Sequence, residues 1–436
     1  MVKEKVTKIE PFEYIIYEFT VYDSLSQKEA EISSMEKNQA WLQPISSRLL
    51  HEEEESAENK SIWDINIEKL LGREQILLEN QKIEKFLSNK VIMVTGGGGS
   101  IGSELCRQIA KYGPKLLIIL DIYENNAYDI QQELIHKYGN ELKLIIEIAS
   151  VSNRDLIYQL FKRYHPNIVF HAAAHKHVPL MEDCPKEAII NNIFGTYYIV
   201  EASEEYEVEK FVLISTDKAV NPTSIMGASK RFCEMILQSM KGSGKTDFVA
   251  VRFGNVLGSN GSVIPLFLKQ IAAGGPLTIT DHRIVRYFMT ISEAVQLVLQ
   301  AGSMADSAEI YVLDMGEPVK IIDLAENLIR MSGYEPYIDI PIVETGLRPG
   351  EKLYEELLIN SKDLIATENH KIFIEAKEYI SKKEIKKKLK LLSRVINSKS
   401  IGNIKRTMKK VVPTYQNYNT KNVFRILCKD HRTNVN

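Results

Sequence analysis

Val91-Ile92-Met93-Val94-Thr95-Gly96-Gly97-Gly98-Gly99-Ser100-Ile101-Gly102 is the stretch that decides the fold. Its first five residues read as a strand buried on both faces. Glycines follow at once, with Gly96, Gly99 and Gly102 in G-x-x-G-x-x-G spacing. The amphipathic run Ser103–Tyr112 then reads as a helix. In such a unit Gly96 permits a tight turn and Gly99 lets the backbone approach a pyrophosphate. Gly102 lets the helix close on the strand. Ser100 and Ile101 stand where the helix opens, and its free N–H groups suit phosphate. Glycine-rich loops also make plain turns, so the context matters. Here the next strand, Leu116–Asp121, ends on an acid 19 residues beyond Gly102. A carboxylate at that place accepts hydrogen bonds from a ribose diol and repels a 2′-phosphate. No Lys or Arg follows in Ile122–Asn126, so NAD is expected rather than NADP. The alternative for Asp121 is a helix N-cap.

Outward from this unit, Leu142–Ala149, Ile168–His171, Phe211–Ser215 and Phe248–Arg252 also read as strands, with helical stretches such as Asn126–Tyr138 between them. Alternation of this kind means an α/β fold, a doubly wound parallel sheet of the Rossmann type. The chain has 436 residues, 44% hydrophobic and 26% charged, which is ample for a large core. Its 55 basic and 57 acidic side chains argue against a general nucleic-acid binder. No apolar run approaches the ~18 residues of a membrane span, and Met1–Glu10 lacks the apolar core of a signal peptide. Cys106, Cys184, Cys233 and Cys428 are too dispersed for a zinc site, and no metal is expected. A cytoplasmic location with reduced thiols is the expectation.

The near-neutral total hides two ends of opposite sign. Residues 1–61 hold 13 acids against 7 bases and carry no motif; a solvated, partly disordered extension is expected. Residues 381–410 hold 12 bases against the single acid Glu384. That run is helical in propensity, with Ile385, Leu389, Leu392, Val395 and Ile396 on one side. It reads as a surface helix, or as a contact for anionic lipid or the acidic front segment.

Three segments beyond the glycine loop are dense in polar groups. In His171-Ala172-Ala173-Ala174-His175-Lys176-His177, small residues let a flat cofactor lie close, and Lys176 stands near the strand ends where ligands bind. Ser215-Thr216-Asp217-Lys218 puts a hydroxyl, an acid and an amine at a strand end, which is costly as core and natural as an active site. Met226-Gly227-Ala228-Ser229-Lys230 has the spacing of a Tyr-x-x-x-Lys pair, with Met in place of Tyr.

These motifs resemble the extended short-chain dehydrogenase/reductases. They resemble more closely the CapD-like polysaccharide-biosynthesis group, the UDP-N-acetylglucosamine 4,6-dehydratases. Further matching stretches are Leu71-Gly72-Arg73, Asn191–Thr196, Val251–Gly258, Arg286–Thr290, Met315–Lys320 and Leu347–Lys352. The resemblance implies one catalytic unit over residues 62–376, with an NAD-binding core at about 88–250. A smaller C-terminal substrate-binding α/β subdomain lies mainly in 251–376, and residues 377–436 form a basic helical extension. It also implies a homo-oligomer.

The implied chemistry removes the C6 hydroxyl of a UDP-hexose after C4 is oxidised. Asp217 would protonate the departing hydroxyl. Lys218 would take the C5 proton, which asks for a depressed pKa. Thr216 would hydrogen-bond the C4 oxygen, and Lys230 would hold the nicotinamide ribose. Ser150 and Val151 stand near the adenine position, where relatives carry an acid; His175 replaces a more usual Tyr. Lys176, Asn192, Asn255, Arg286, Arg348 and Glu351 fall in the UDP-sugar motifs, and each alone could instead be a structural ion pair. Met226 cannot take the C4 proton as Tyr does. Configuration-retaining members of the group also carry Met there, so retention at C5 is expected. A UDP-sugar 4-epimerase and a silent NAD-binding protein are the alternatives. Larger members carry an N-terminal membrane domain where this chain has a polar front segment.

Overall fold

The residues flanking the glycine loop form the strand and the helix that their pattern predicts. A computed structural model describes residues 80–416 apart from 243, 305–307, 358–363, 376–378 and 399. The acidic segment 1–61, the Leu71–Arg73 motif and Cys428 lie outside the described residues. The described chain begins α1 (Asn80–Leu87), β1 (Val91–Thr95), α2 (Ser100–Ala110), β2 (Leu116–Asp121), α3 (Glu124–Tyr138), β3 (Leu144–Ile148), α4 (Arg154–Tyr164), β4 (Ile168–His171) and α5 (Val178–Asp183). A helical run from Pro185, π-wound over Ala188–Phe194, leads into α6 (Gly195–Glu205). Then come β5 (Lys210–Ile214), α7 (Ile225–Gln238), β6 (Asp247–Arg252), β7 (Asn255–Val256), α8 (Val263–Ala272), β8 (Leu277–Ile279), β9 (Val285–Met289) and α9 (Ile291–Met304). The rest is β10 (Glu309–Leu313), β11 (Pro318–Lys320), α10 (Ile321–Met331), β12 (Ile342–Glu344), β13 (Leu364–Ala366), β14 (Ile372–Glu375), α11 (Lys382–Val395) and α12 (Ile401–Val411).

Among the described residues the main sheet has the order β13-β14-β10-β6-β5-β4-β1-β2-β3. It is parallel from β3 to β10, and β14 and β13 close that edge antiparallel. β1 is central: Met93 pairs with Ile118 on one side and Val169 on the other. The chain leaves β1 toward β2 and β3, then crosses back to β4, so a crevice opens at the carboxyl ends of β1 and β4. The six strands read from sequence are all present, with ends shifted by up to two residues.

Strand side chains alternate between two cores. Met93, Val169, Phe211 and Phe248 face the layer of α4, α6 and α7. Ile92, Val94, Phe170, Val212 and Val249 face α1, α2, α3 and α9. This double burial is why the strands read as unbroken apolar runs. A third core, with Ile264, Phe267, Leu277, Ile279, Leu324 and Leu328, belongs to a smaller lobe of α8, α10 and short strand pairs. The smaller α/β subdomain is therefore present. However, α9, β10 and β14 return from the second half of the chain to the main sheet and its helices.

The basic run forms α11 and α12. Ile385, Leu389 and Leu392 are buried, as are Ile404, Met408, Val411 and Tyr415, all in the same core as α7. The basic extension is helical as expected, and its apolar stripe packs into one of the two cores that flank the main sheet. Among the described residues no helix is long and apolar enough to cross a membrane.

Candidate active site

The glycine loop is shaped by lack of space. Gly96 turns with φ +68°, and a Cβ there would lie 2.6 Å from the Ala173 backbone nitrogen. A Cβ on Gly102 would lie 2.0 Å from the Gly96 carbonyl oxygen, so no other residue lets α2 approach this closely. Gly99 caps α2 without a side-chain acceptor, so no side chain occupies the first-turn N–H groups. The Ala172 nitrogen bonds the Thr95 carbonyl at 3.0 Å, carrying the small Ala172–Ala174 segment past the loop. Asp121 is not an N-cap; that place at α3 belongs to Tyr123. Its Oδ2 accepts from the Gly98 nitrogen at 2.8 Å and its Oδ1 from the Tyr123 nitrogen at 2.9 Å. Ser150 Oγ pairs with Ser152 Oγ at 2.8 Å, and buried Val151 packs against Gly195.

Beneath this crevice His171 is fully buried, its ring bridging Thr95 Oγ1 at 2.6 Å and Thr196 Oγ1 at 2.9 Å. Burial and the Lys230 charge push its pKa down to about 3, so it is a neutral spacer.

At the end of β5 the chain makes a single helical turn, Asp217–Ala219, capped by Thr216. Asp217 is fully buried, and its Oδ1 collects three donors: Thr216 Oγ1 at 2.7 Å, and the Lys218 nitrogen and Nζ, each at 2.9 Å. Its Oδ2 is buried without a hydrogen-bond partner among the described residues. Lys218 Nζ also donates to Asn255 Oδ1 at 3.1 Å and lies 3.9 Å from Glu355 Oε1. Burial opposes the Lys218 charge, but the Asp217 and Glu355 carboxylates outweigh it and hold the pKa above the ordinary lysine value. The depressed pKa expected for a base at Lys218 is therefore corrected: here it is a well-anchored cation. Lys230 is the contrasting amine. It is buried one helical turn beyond Met226, and burial lowers its pKa.

A cavity of about 860 Å³ joins these groups. Its wall includes Gly96, Gly99, Ser100, Ile101 and Gly102 of the glycine loop and helix, with Ala172 and Ala174. Thr216, Lys218, Met226, Lys230 and Asn255 line the same cavity, as do Lys176, Arg286, Arg348 and Glu351. Asp121, Ser150, Val151, Ala173, Asn192 and Asp217 are not in that wall.

Several of these residues are committed to the protein itself. Asn192 Oδ1 accepts from the His175 nitrogen at 2.8 Å, and its Nδ2 donates to the His175 carbonyl at 3.0 Å and to Ser229 Oγ at 2.9 Å. It is a clasp between the β4 loop and α7, where a substrate contact was expected. Arg286 donates to the carbonyls of Val285, Leu353 and Lys352 at 2.8, 3.1 and 2.7 Å, pinning the 350–353 loop. Arg348 and Glu351 form the ion pair weighed as their alternative, at 3.3 Å, with Arg348 more than half exposed.

Two features escaped the sequence reading. Glu355 joins the cavity wall beside Lys218. Below it, fully buried Arg252 grips Glu234 at 2.9 Å and Glu375 at 2.8 Å, and Glu234 accepts from Ser215 Oγ at 2.6 Å. An arginine ending an apolar strand was the available signal, but its partners lie 18 and 123 residues away.

The family model for polysaccharide biosynthesis proteins matches residues 92–377. The chain is 55% identical over 302 residues to the capsular polysaccharide biosynthesis protein CapD of Staphylococcus aureus, covering 69% of this chain and 50% of that one. It thus spans about half the length of these curated relatives. It is 35% identical over 276 residues to a UDP-glucose 4-epimerase of Rickettsia rickettsii, covering 62% of this chain and 78% of the relative. Among solved structures, the X-ray structure of Pen from Bacillus thuringiensis superposes with a TM-score of 0.61 at 33% identity, over 68% of this chain and 89% of that one.

Proposed function

The chain belongs to the polysaccharide biosynthesis protein family, and from that premise we propose that it modifies a nucleotide sugar: a NAD-dependent UDP-N-acetylglucosamine 4,6-dehydratase that retains configuration at C5. The observation that carries the reading is the Thr216-Asp217-Lys218 turn opening on one cavity with Lys230 and the glycine loop, with methionine at the tyrosine position. The cradle suits a dinucleotide: Gly96 and Gly102 let the loop and α2 close where any Cβ would clash, Gly96, Gly99, Gly102, Ala172 and Ala174 line the wall, and Asp121 at the end of β2 holds the Gly98 nitrogen of that loop.

When bound, that cofactor would supply the hydride chemistry, oxidation at C4 and reduction at C6. Lys230 holds the ribose, and its ammonium group eases loss of the C4 hydroxyl proton. Thr216 hydrogen-bonds the C4 oxygen. Once C4 is a ketone the C5 proton is acidic, and Lys218 removes it. Asp217, a carboxylate at the outset, takes the C4 hydroxyl proton through Thr216 and passes it to the C6 hydroxyl, which leaves as water; after hydride reaches C6, Lys218 returns its proton to C5 on the face it came from. Arg348, Lys176 and Asn255, which also line the cavity, would contact the nucleotide sugar. Because Lys218 must shed its proton to act and is held above the ordinary lysine value, turnover should rise with pH on the alkaline side.

Incubation with UDP-N-acetylglucosamine tests the proposal. The expected product is lighter by one water in mass spectrometry, and NMR reports its C5 configuration. Lys218→Ala should fold and bind cofactor yet lose at least ~100-fold in turnover; full turnover by that variant would sink the role assignment. The 35% identity to a UDP-glucose 4-epimerase favours a second reading, 4-epimerisation, for which the product keeps the mass of the substrate.

A further inference from the structure

The loop that closes the smaller-lobe side of the cavity carries three acids, and two are occupied. Glu351 holds Arg348 and accepts from Thr280 Oγ1 at 3.2 Å. Glu356 is exposed and pairs with Lys352 at 3.1 Å and Asn221 at 2.8 Å. Glu355 differs. It is buried in the cavity wall, Oε1 lies 3.9 Å from Lys218 Nζ and 4.0 Å from Arg286 Nε, and Oε2 is buried with no hydrogen-bond partner among the described residues. A buried carboxylate oxygen left unpaired is unfavourable and calls for an explanation. Here it adjoins the amine assigned to the chemistry, in the wall of the cavity that takes the hexose.

We propose that Glu355 is a positioning residue for Lys218 and a hydrogen-bonding contact for the hexose, so that substrate entry satisfies Oε2 while Oε1 fixes the charge and place of the Lys218 amine. The proposal rests on the nucleotide-sugar reading of the cavity. The charged groups facing Glu355 are Asp217 and Lys218 from the turn after β5, Arg286 from β9, and Lys352 from its own loop. Burial raises its pKa most, with Asp217 adding to the rise, while Lys218, Arg286 and Lys352 oppose it. Lys218 sits between two carboxylates, Asp217 at 2.9 Å and Glu355 at 3.9 Å; removing one weakens the hold on its proton.

The test is Glu355→Gln, which keeps shape and hydrogen-bonding capacity but removes the charge. Calorimetry should show unchanged affinity for UDP and about tenfold weaker binding of UDP-N-acetylglucosamine. The alkaline rise of kcat/KM should move to lower pH, because Lys218 loses an anionic neighbour. Glu355→Asp should restore the wild-type pH limb in part, and it carries the measurement if the glutamine variant does not fold. Wild-type hexose affinity together with an unmoved pH limb in the folded variant overturns the proposal. Absence of water loss by the wild-type enzyme sinks the dehydratase reading instead, and the comparison of UDP with its hexose conjugate still judges Glu355.

Discussion

His171 is a buried support: its ring is sealed between two threonines and held neutral with a pKa of about 3. In the unfolded chain it would titrate near its ordinary value of 6.5. A depressed folded-state pKa gives stability that is present above pH ~6.5 and lost as pH falls toward ~3. Acid unfolding of His171→Gln should therefore depend less steeply on pH in that window, by up to ~1.4 kcal/mol per pH unit. Denaturant titrations at several pH values check it, and parallel pH curves for variant and wild type would count against it. The Asp217–Lys218 pair is the complementary case. The sequence placed both residues, but only their partners Thr216, Asn255 and Glu355 set the charge they carry.

At the scale of elements, the basic tail changes meaning most. Its stripe of Ile385, Leu389 and Leu392 was legible as one face of a helix, because apolar spacing of 3.6 survives any context. What that face touches was not legible. It meets α7, the helix that carries Met226 and Lys230. Lys405 reaches Glu182 at 2.5 Å, and Glu182 accepts from the Ile225 nitrogen at 2.6 Å, where α7 begins. The Gln416 nitrogen bonds the Pro222 carbonyl at 2.8 Å, in the loop just beyond Lys218. The tail thus buttresses the segment bearing the site. Leu392→Ala, at a fully buried position, should cost ~2–5 kcal/mol. Leu391→Ala, 42% exposed on the same helix, should stay within ~0.5 kcal/mol. Equal effects of the two in chemical denaturation would show that the tail is not docked.

Across the whole molecule, Arg252 ties the parts together. It ends β6, reaches Glu234 on α7 and Glu375 on the antiparallel edge strand β14, and donates to the Leu357 carbonyl at 3.2 Å near the Glu355 loop. Burial opposes its charge, and the two carboxylates more than restore it. A fully buried network of this kind is sensitive to one-sided change. Arg252→Met would strand two carboxylates and should cost about 3–5 kcal/mol, whereas Arg252→Met with Glu234→Gln and Glu375→Gln should recover much of that loss. Thermal unfolding of the two variants decides it; equal destabilisation would argue against an electrostatic origin.

Local sequence determined the parts of this protein whose physics is local. The strand–glycine–helix unit follows from residues within a dozen positions, since only glycine allows the Gly96 turn and the Gly102 approach. The doubly wound sheet follows from apolar runs buried on both faces, and the basic helices from their spacing. The tertiary structure alone decided what those elements meet. It sent β10 and β14 back to the main sheet, gave Asn192 and Arg286 backbone partners in neighbouring loops, and set Glu355 beside Lys218 across 137 residues of chain. The reason is physical: hydrogen bonds and charges are satisfied by whatever lies within a few ångströms, and chain distance carries little of that information.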